Sequence, residues 1–244
     1  MTEGTNQQRE LLGGEVFDVP ALVAAAHELK APLALIRQLS LYSQQTEDSA
    51  YRDTMLRQIH LTSERALRLT TDLTRATRLE DSLFSLEPLN PLSLCDEVVR
   101  EMQPLYTAQG KQVRLARRTR PLLGVANRDL LRRILMNFVD NALHYSRTDQ
   151  PVVISAALRN GGTSIRLGVR DYGPMIPSRV WEKLQDKMGT SAQPLHSRPQ
   201  SSGLGLLIAK RFAVAMHAEL GALRHRDGAT FYVDIDTSTQ LRLL

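Results

Sequence analysis

Apolar positions along the chain fall into two helical series before any strand pattern begins. From Ala21 the series Leu22, Ala26, Leu29, Leu33, Ile36 advances by four and three residues, which sets one stripe on a helix. A second series, Met55, Ile59, Thr62, Ala66, Leu69, Leu73, Ala76, repeats the same steps. The polar stretch Ser43–Ser49 between them is short, so the two helices are expected to fold back as an antiparallel hairpin. Neither stripe can be fully covered by one partner helix. Two hairpins joining into a four-helix bundle would cover both, so a homodimer is expected.

The pattern changes after Pro88 and Pro91, which mark a boundary. Ser93, with Asp96 three residues on, reads as the N-cap of a helix that Gly110 ends. Val113 and Leu115 alternate as in a strand. A helix then starts at Asn127 or Arg128, with Leu131, Ile134, Leu135, Phe138, Val139 and Ala142 inward. Strands are expected over 152–158 and 164–169. The Pro- and Ser-rich stretch 174–202 reads as a long loop with a short helix at 180–184. A helix over 205–217 and a strand pair, 219–224 with 230–235, close the chain. The fold class expected is therefore an α-helical hairpin followed by an α/β two-layer sandwich. Residues 1–15 form a loose lead-in, 16–86 the hairpin and 87–244 the sandwich.

Composition narrows the function classes. The chain has 244 residues, 42% hydrophobic and 23% charged, ordinary for a globular protein. Its formal charge of +5 raises nucleic-acid binding, but 26 acidic residues are interleaved with dispersed Arg and aromatics are only 5%, so no nucleic-acid partner is expected. The single Cys95 cannot form an intrachain disulfide. Apolar runs such as 20–26 are far below the ~20 residues of a membrane span, and residues 1–10 lack the order of a signal peptide. A cytoplasmic location is expected, either alone or as the cytoplasmic portion of a membrane-anchored sensor.

Four patches carry candidate chemistry. In His27-Glu-Leu-Lys-Ala-Pro-Leu33, His27 follows Ala26 by one residue and so turns about 100° off the stripe towards solvent. An imidazole there can act as a nucleophile, with Glu28 orienting it or accepting its proton. Pro32 cannot donate to the carbonyl of Glu28, which loosens the helix after His27; the patch also reads as a surface His beside a kink. Asn137, Asn141 and His144, spaced by four and three, share a helix face on which amides can meet hydrated Mg²⁺ and phosphate oxygens; a solvated polar face is the other reading. Asp171 closes a strand before Tyr172, Gly173, Pro174, Met175, Ile176 and Pro177. A buried carboxylate there can accept from an exocyclic amine such as that of adenine, while Asp-x-Gly alone also reads as a turn. Ser202-Gly203-Leu204-Gly205-Leu206 runs into a helix whose freed N–H groups can meet phosphate.

In this order the four patches resemble the sensor histidine kinases from about Val19 to Ile235. His27–Leu33 is similar to the family's phosphoacceptor box and Asn137–Tyr145 to its Asn-x-x-x-Asn-Ala-x-(Lys/His)-(Tyr/Phe) box. Asp171-x-Gly173 with Ile176-Pro177 resembles the first glycine box, and Ser202–Leu206 the second. The resemblance implies a GHKL-type ATPase sandwich that binds ATP and Mg²⁺ and phosphorylates His27, with Glu28 assisting. The phosphoryl group would pass to an aspartate of a response-regulator receiver domain. It further implies that Asn137 and Asn141 serve Mg²⁺ and phosphates, with His144 near the phosphates. Tyr145 would lie against adenine, Asp171 would bind its amino group, and Gly203, Gly205 and Leu206 would line the phosphate side of a lid.

Three departures stand out. Met175 and Ser201 replace glycines, which costs binding if those sites need positive φ. Ala31 stands where many relatives carry Thr or Asn, which implies weak phosphatase activity towards the partner. Two other functions stay open: a degenerate kinase serving as a dimeric binding module, and a GHKL-type ATPase that uses water as acceptor.

Overall fold

The computed structural model describes residues 19–77, 84–116, 123–147, 149–187 and 204–238. The described residues fall into two compact units, the first of residues 19–77 with Leu204 and the second of residues 84–187 and 205–238.

The first unit is a pair of long helices, α1 (Val19–Gln45) and α2 (Ser49–Thr77). Three residues separate them, fewer than the polar stretch in the sequence suggests. Asp48 starts α2 by accepting from the N–H groups of Ala50 (2.9 Å) and Tyr51 (3.2 Å). On α2 the expected stripe is the packed one: Met55 and Ala76 are buried and Ile59, Thr62, Ala66, Leu69 and Leu73 half-buried. On α1 the expected stripe holds in part: Leu29 and Ile36 lie on the packed face, but Ala25 and Pro32 take the places expected of Ala26 and Leu33. Ala25 is buried and Leu29, Pro32, Ile36 and Leu39 are half-buried, whereas Ala26 and Leu33 are exposed. The physical reason is that α1 is apolar on more than one face, and a single partner helix covers only one of them. Val23, Leu33, Leu35, Leu41 and Leu56 consequently remain exposed.

The second unit is a seven-stranded sheet with helices on one face. Its strands are β1 (Glu87–Leu89), β2 (Val113–Leu115), β3 (Gly124–Ala126), β4 (Val152–Arg159), β5 (Ser164–Arg170), β6 (Glu219–His225) and β7 (Gly228–Thr237). The order is β1-β3-β7-β5-β4-β2, with β6 also paired to β7. All pairings are antiparallel except β2 with β4. The helices are α3 (Pro91–Ala108), α4 (Arg128–Tyr145), α5 (Ser178–Lys187) and α6 (Leu204–Ala215). The period-2 strands put Ile154, Leu167, Val169, Phe231, Val233 and Ile235 into the core. Those side chains meet the apolar stripe of α4, where Ile134, Leu135, Phe138, Val139 and Ala142 are buried as the sequence predicts.

Two expectations need correction. Asn90, not Ser93, caps α3: its side chain accepts from Leu92 N (3.0 Å) and Pro91 occupies the first helical position. Pro at that position has no N–H to satisfy, and the helix begins three residues earlier than a Ser93 cap would allow. The three-residue strands β1 and β3 are absent from the expected elements, because Pro88 in the first and Gly124 in the second are residues that punctuate a strand pattern.

Candidate functional site

His27 stands exposed on α1, and Glu28 beside it is half-buried. The helix continues through Pro32 to Gln45. Ala31, one turn after His27, is also exposed.

In the α/β unit the other patches come together around α4. Asn127 caps that helix by accepting from Leu130 N (3.1 Å). Two contacts then fix its far half. The buried Tyr106 hydroxyl donates to the Val139 carbonyl (2.7 Å), and Lys111 Nζ donates to the Leu143 carbonyl (2.6 Å) in the last turn, where a cation suits the helix dipole. With α4 held, Asn137, Asn141, His144 and Tyr145 are all half-buried along its outer side. His144 Nδ1 lies 2.6 Å from the Asp140 carbonyl. Because a carbonyl only accepts, Nδ1 is the protonated nitrogen in that contact. The Asn137 amide nitrogen is buried without a hydrogen-bond partner. Since an Asn amide can be turned end for end, this side chain offers either a donor or an acceptor.

Asp171 follows β5 directly and is 5% exposed. Its Oδ1 accepts from Gly173 N (3.0 Å) and from Ala229 N (3.2 Å). Burial raises its pKa above the ordinary carboxylate value. The two N–H bonds, and then the charges of Arg170 and His225, act in the opposite direction. The loop that follows is pressed onto the end of α4: a Cβ on Gly173 would stand 2.5 Å from the Tyr145 carbonyl oxygen. Arg147 N also donates to the Tyr172 carbonyl (3.3 Å). On the other side of the amide row, a Cβ on Gly205, in the first turn of α6, would lie 3.6 Å from Asn137 Oδ1.

Three of the four sequence patches therefore meet in one unit: the Asn face, the Asp171 loop with Gly173, and the first turn of α6 from Gly205 and Leu206. Ile176 lies in the Asp171 loop and is half-buried. Ser202, Gly203 and Ser201 lie outside the described residues. Met175 is exposed, and the only described non-glycine residues with positive φ are Asn160 and His217. The cost anticipated for a left-handed backbone at Met175 therefore does not arise.

Sequence reasoning missed two partners of Asp171: Ala229, whose N–H it accepts, and Gly228, whose φ of +129° shapes the turn before β7. The Asp227-Gly228 pair between two apolar runs is a hairpin signal that could have found the turn, though not its contact with Asp171.

No group of three or more His, Cys, Asp or Glu among the described residues could hold a metal ion. The Asn137 side chain beside α6, like Asn141 one turn on, can offer an amide oxygen, and such ligands are hard oxygens. They suit Mg²⁺, which takes a few hard oxygen ligands and keeps much of its water, better than an ion that needs a full protein cage.

Comparison with known proteins agrees with this fold. Residues 126–239 match the family described as histidine kinase-, DNA gyrase B- and HSP90-like ATPase. Sensor protein QseC of Escherichia coli K12 is 31% identical over 203 residues, 81% of this chain and 43% of QseC. Sensor protein kinase PmrB of Pseudomonas aeruginosa is 28% identical over 86% of this chain and 43% of its own length. The chain thus spans about two fifths of the length of these curated relatives. Among solved structures, Acinetobacter baumannii histidine kinase AdeS superposes with a TM-score of 0.57 at 20% identity, covering 87% of this chain and 98% of that one. Full-length ShkA in complex with AMPPNP gives 0.58 at 21% identity over 96% of this chain and 46% of its own. At such identities these two likenesses speak for the fold.

Proposed function

The chain belongs to the sensor histidine kinase family, and from that premise we propose that it is a kinase core that phosphorylates itself on His27 at the expense of ATP. The phosphoryl group then passes to an aspartate of a response-regulator receiver domain. Residues 16–86 serve as the dimerisation and phosphoacceptor hairpin and 87–244 as the ATP-binding domain.

The observation that carries this reading is Asp171. It is a buried carboxylate with one oxygen engaged by two backbone N–H groups, at the edge of a helix face lined with amides. Such a carboxylate can accept from the amino group of adenine through its second oxygen, and the fixed first oxygen sets the direction. Tyr145, at the same end of α4, is suited to lie against the base. Asn137 and Asn141 would hold Mg²⁺, which supplies charge neutralisation on the phosphate oxygens. His144, Leu204, Gly205 and Leu206, together with Ser202 and Gly203, are assigned to the phosphate side. His27, exposed on α1, attacks the γ-phosphorus through a ring nitrogen, ADP leaves, and Glu28 takes the imidazole proton.

Apolar side chains left exposed on both helices of the hairpin support pairing with a second copy. No described helix is long and apolar enough to cross a membrane. We assign the chain to the cytoplasmic portion of a sensor, as its share of its relatives' length suggests. The rival reading as a dimeric binding module drew on Met175 and Ser201, and Met175 carries no left-handed backbone to support it.

The test is incubation with γ-³²P-ATP and Mg²⁺ beside His27→Ala and Asn141→Ala. Acid-labile, alkali-stable label that both substitutions abolish is the expected result. A folded protein that binds ATP but takes no label would leave the binding module. Phosphate release without label would leave the ATPase.

A further inference from the structure

One cation beside the proposed adenine site has no part in the reading above. Arg170 is the last residue of β5, and its side chain is only 17% exposed. Its guanidinium is spent on a single turn. Nη1 donates to the Asp171 carbonyl and lies 3.4 Å from the Ala229 carbonyl and 3.5 Å from that of Asp227. Nη2 donates to Asp227 Oδ1 at 2.5 Å. The plane sits over Tyr172, 4.4 Å from the ring centroid. Three carbonyls and a carboxylate therefore converge on one planar cation, a pattern that a single ammonium cannot reproduce.

The turn so gathered lies directly on Asp171. A side chain at Gly228 would come within 2.6 Å of Asp171 Oδ1, and Ala229 N donates to that same oxygen. The next residue of the hairpin is pinned as well, with Thr230 Oγ1 2.9 Å from His225 Nε2. The Arg170 cation also favours the ionised, accepting form of Asp171, as does His225, against the burial that disfavours it.

We propose that Arg170 is a positioning residue for base recognition: by clamping the Asp227–Ala229 turn onto the end of β5, it holds the Ala229 N–H against Asp171 and aims the carboxylate at the amino group of adenine. The proposal rests on the reading of Asp171 as the residue that recognises the base. It deepens that reading, because the clamp acts through Asp171 and does not touch the nucleotide.

The test compares ADP with IDP, which carries a keto oxygen in place of the 6-amino group, by calorimetry on the full chain. The native protein is expected to prefer ADP by about tenfold or more, as a site built for a donor rejects a ligand lacking it. Arg170→Leu is expected to weaken ADP about tenfold and IDP little, so the preference collapses. Arg170→Lys should recover only part of it. Asp227→Asn removes one end of the clamp at a side chain that is 64% exposed, and should lower the preference without loss of fold. The double variant should be no worse than Arg170→Leu alone.

If Arg170→Leu does not fold, Asp227→Asn alone decides the question. An ADP preference unchanged in folded Arg170→Leu, or in Asp227→Asn, overturns the clamp, whatever the melting temperature does. A native protein without ADP preference, or an Asp171→Asn variant that retains it, overturns the reading of Asp171 itself, and the clamp with it.

Discussion

Gly173 gives the strictest test of how the site is built. Its Cα faces the last carbonyl of α4, and a methyl group there would stand 2.5 Å from the Tyr145 oxygen, 3.1 Å from its carbon and 3.2 Å from Asp171 Oδ1. A carbon meets a carbonyl oxygen at about 3.3 Å or more, so Gly173→Ala must open a gap of about 0.8 Å. The end of α4 cannot easily give way, because Lys111 holds its last turn and its apolar face is buried. The loop must therefore move. Displacing Gly173 by that amount stretches its 3.0 Å bond to Asp171 towards about 3.8 Å, outside hydrogen-bond range. A hydrogen bond to a charged group contributes about 1.5–3 kcal/mol. If the loss falls on the nucleotide-bound state, ADP affinity drops by about 10- to 150-fold. The assay is ADP calorimetry beside a urea denaturation curve. Gly205→Ala is the internal control: its methyl would meet Asn137 Oδ1 at an ordinary 3.6 Å, so stability should stay within about 0.5 kcal/mol. A Gly173→Ala protein that binds ADP within about twofold of native and keeps its urea midpoint would refute the argument.

Three further outcomes follow from single contacts. Asp171→Asn keeps an oxygen for Gly173 N and Ala229 N but presents a donor where adenine needs an acceptor. It should lose about tenfold or more in ADP affinity while matching or exceeding native stability at neutral pH. The sign follows from burial: the folded pKa of Asp171 lies above 3.8, so the folded chain binds the proton before the unfolded chain does, and the ionised carboxylate weakens the fold above that pKa. The stability advantage of Asp171→Asn should shrink as pH falls through the folded pKa towards 3.8, and urea curves across that window would expose an advantage that grows instead. Asn90→Ala removes the cap of α3 and should cost about 1 kcal/mol in the same assay, whereas Ser93→Ala should cost less. Finally, Ala31 offers only a methyl one turn after His27, so the protein should dephosphorylate a phosphorylated receiver slowly. Rapid dephosphorylation that Glu28→Ala abolishes would contradict this.

How far the sequence discloses the fold depends on how local each signal is. The α4 core residues and the α2 stripe are readable because seven-residue periodicity is written in consecutive turns, and the packed side chains obey it. The α1 stripe is right at Leu29 and Ile36 but wrong at Ala26 and Leu33, because its apolar positions lie on several faces and periodicity does not say which of them a partner covers. The candidate site divides along the same line. His27, the Asn row and the Asp171 loop are contiguous runs of residue types that suit phosphate, metal and amine. The parts that orient them are not contiguous: Ala229 reaches Asp171 across 58 residues and Asp227 reaches Arg170 across 57. Only the pairing of β5 with β7, which sets Arg170 opposite Thr230, makes them neighbours. A motif can thus name the groups that touch a ligand. The clamp that aims Asp171 arises from strand register, and a register one residue away would turn Arg170 to the other face of the sheet and leave the turn unheld.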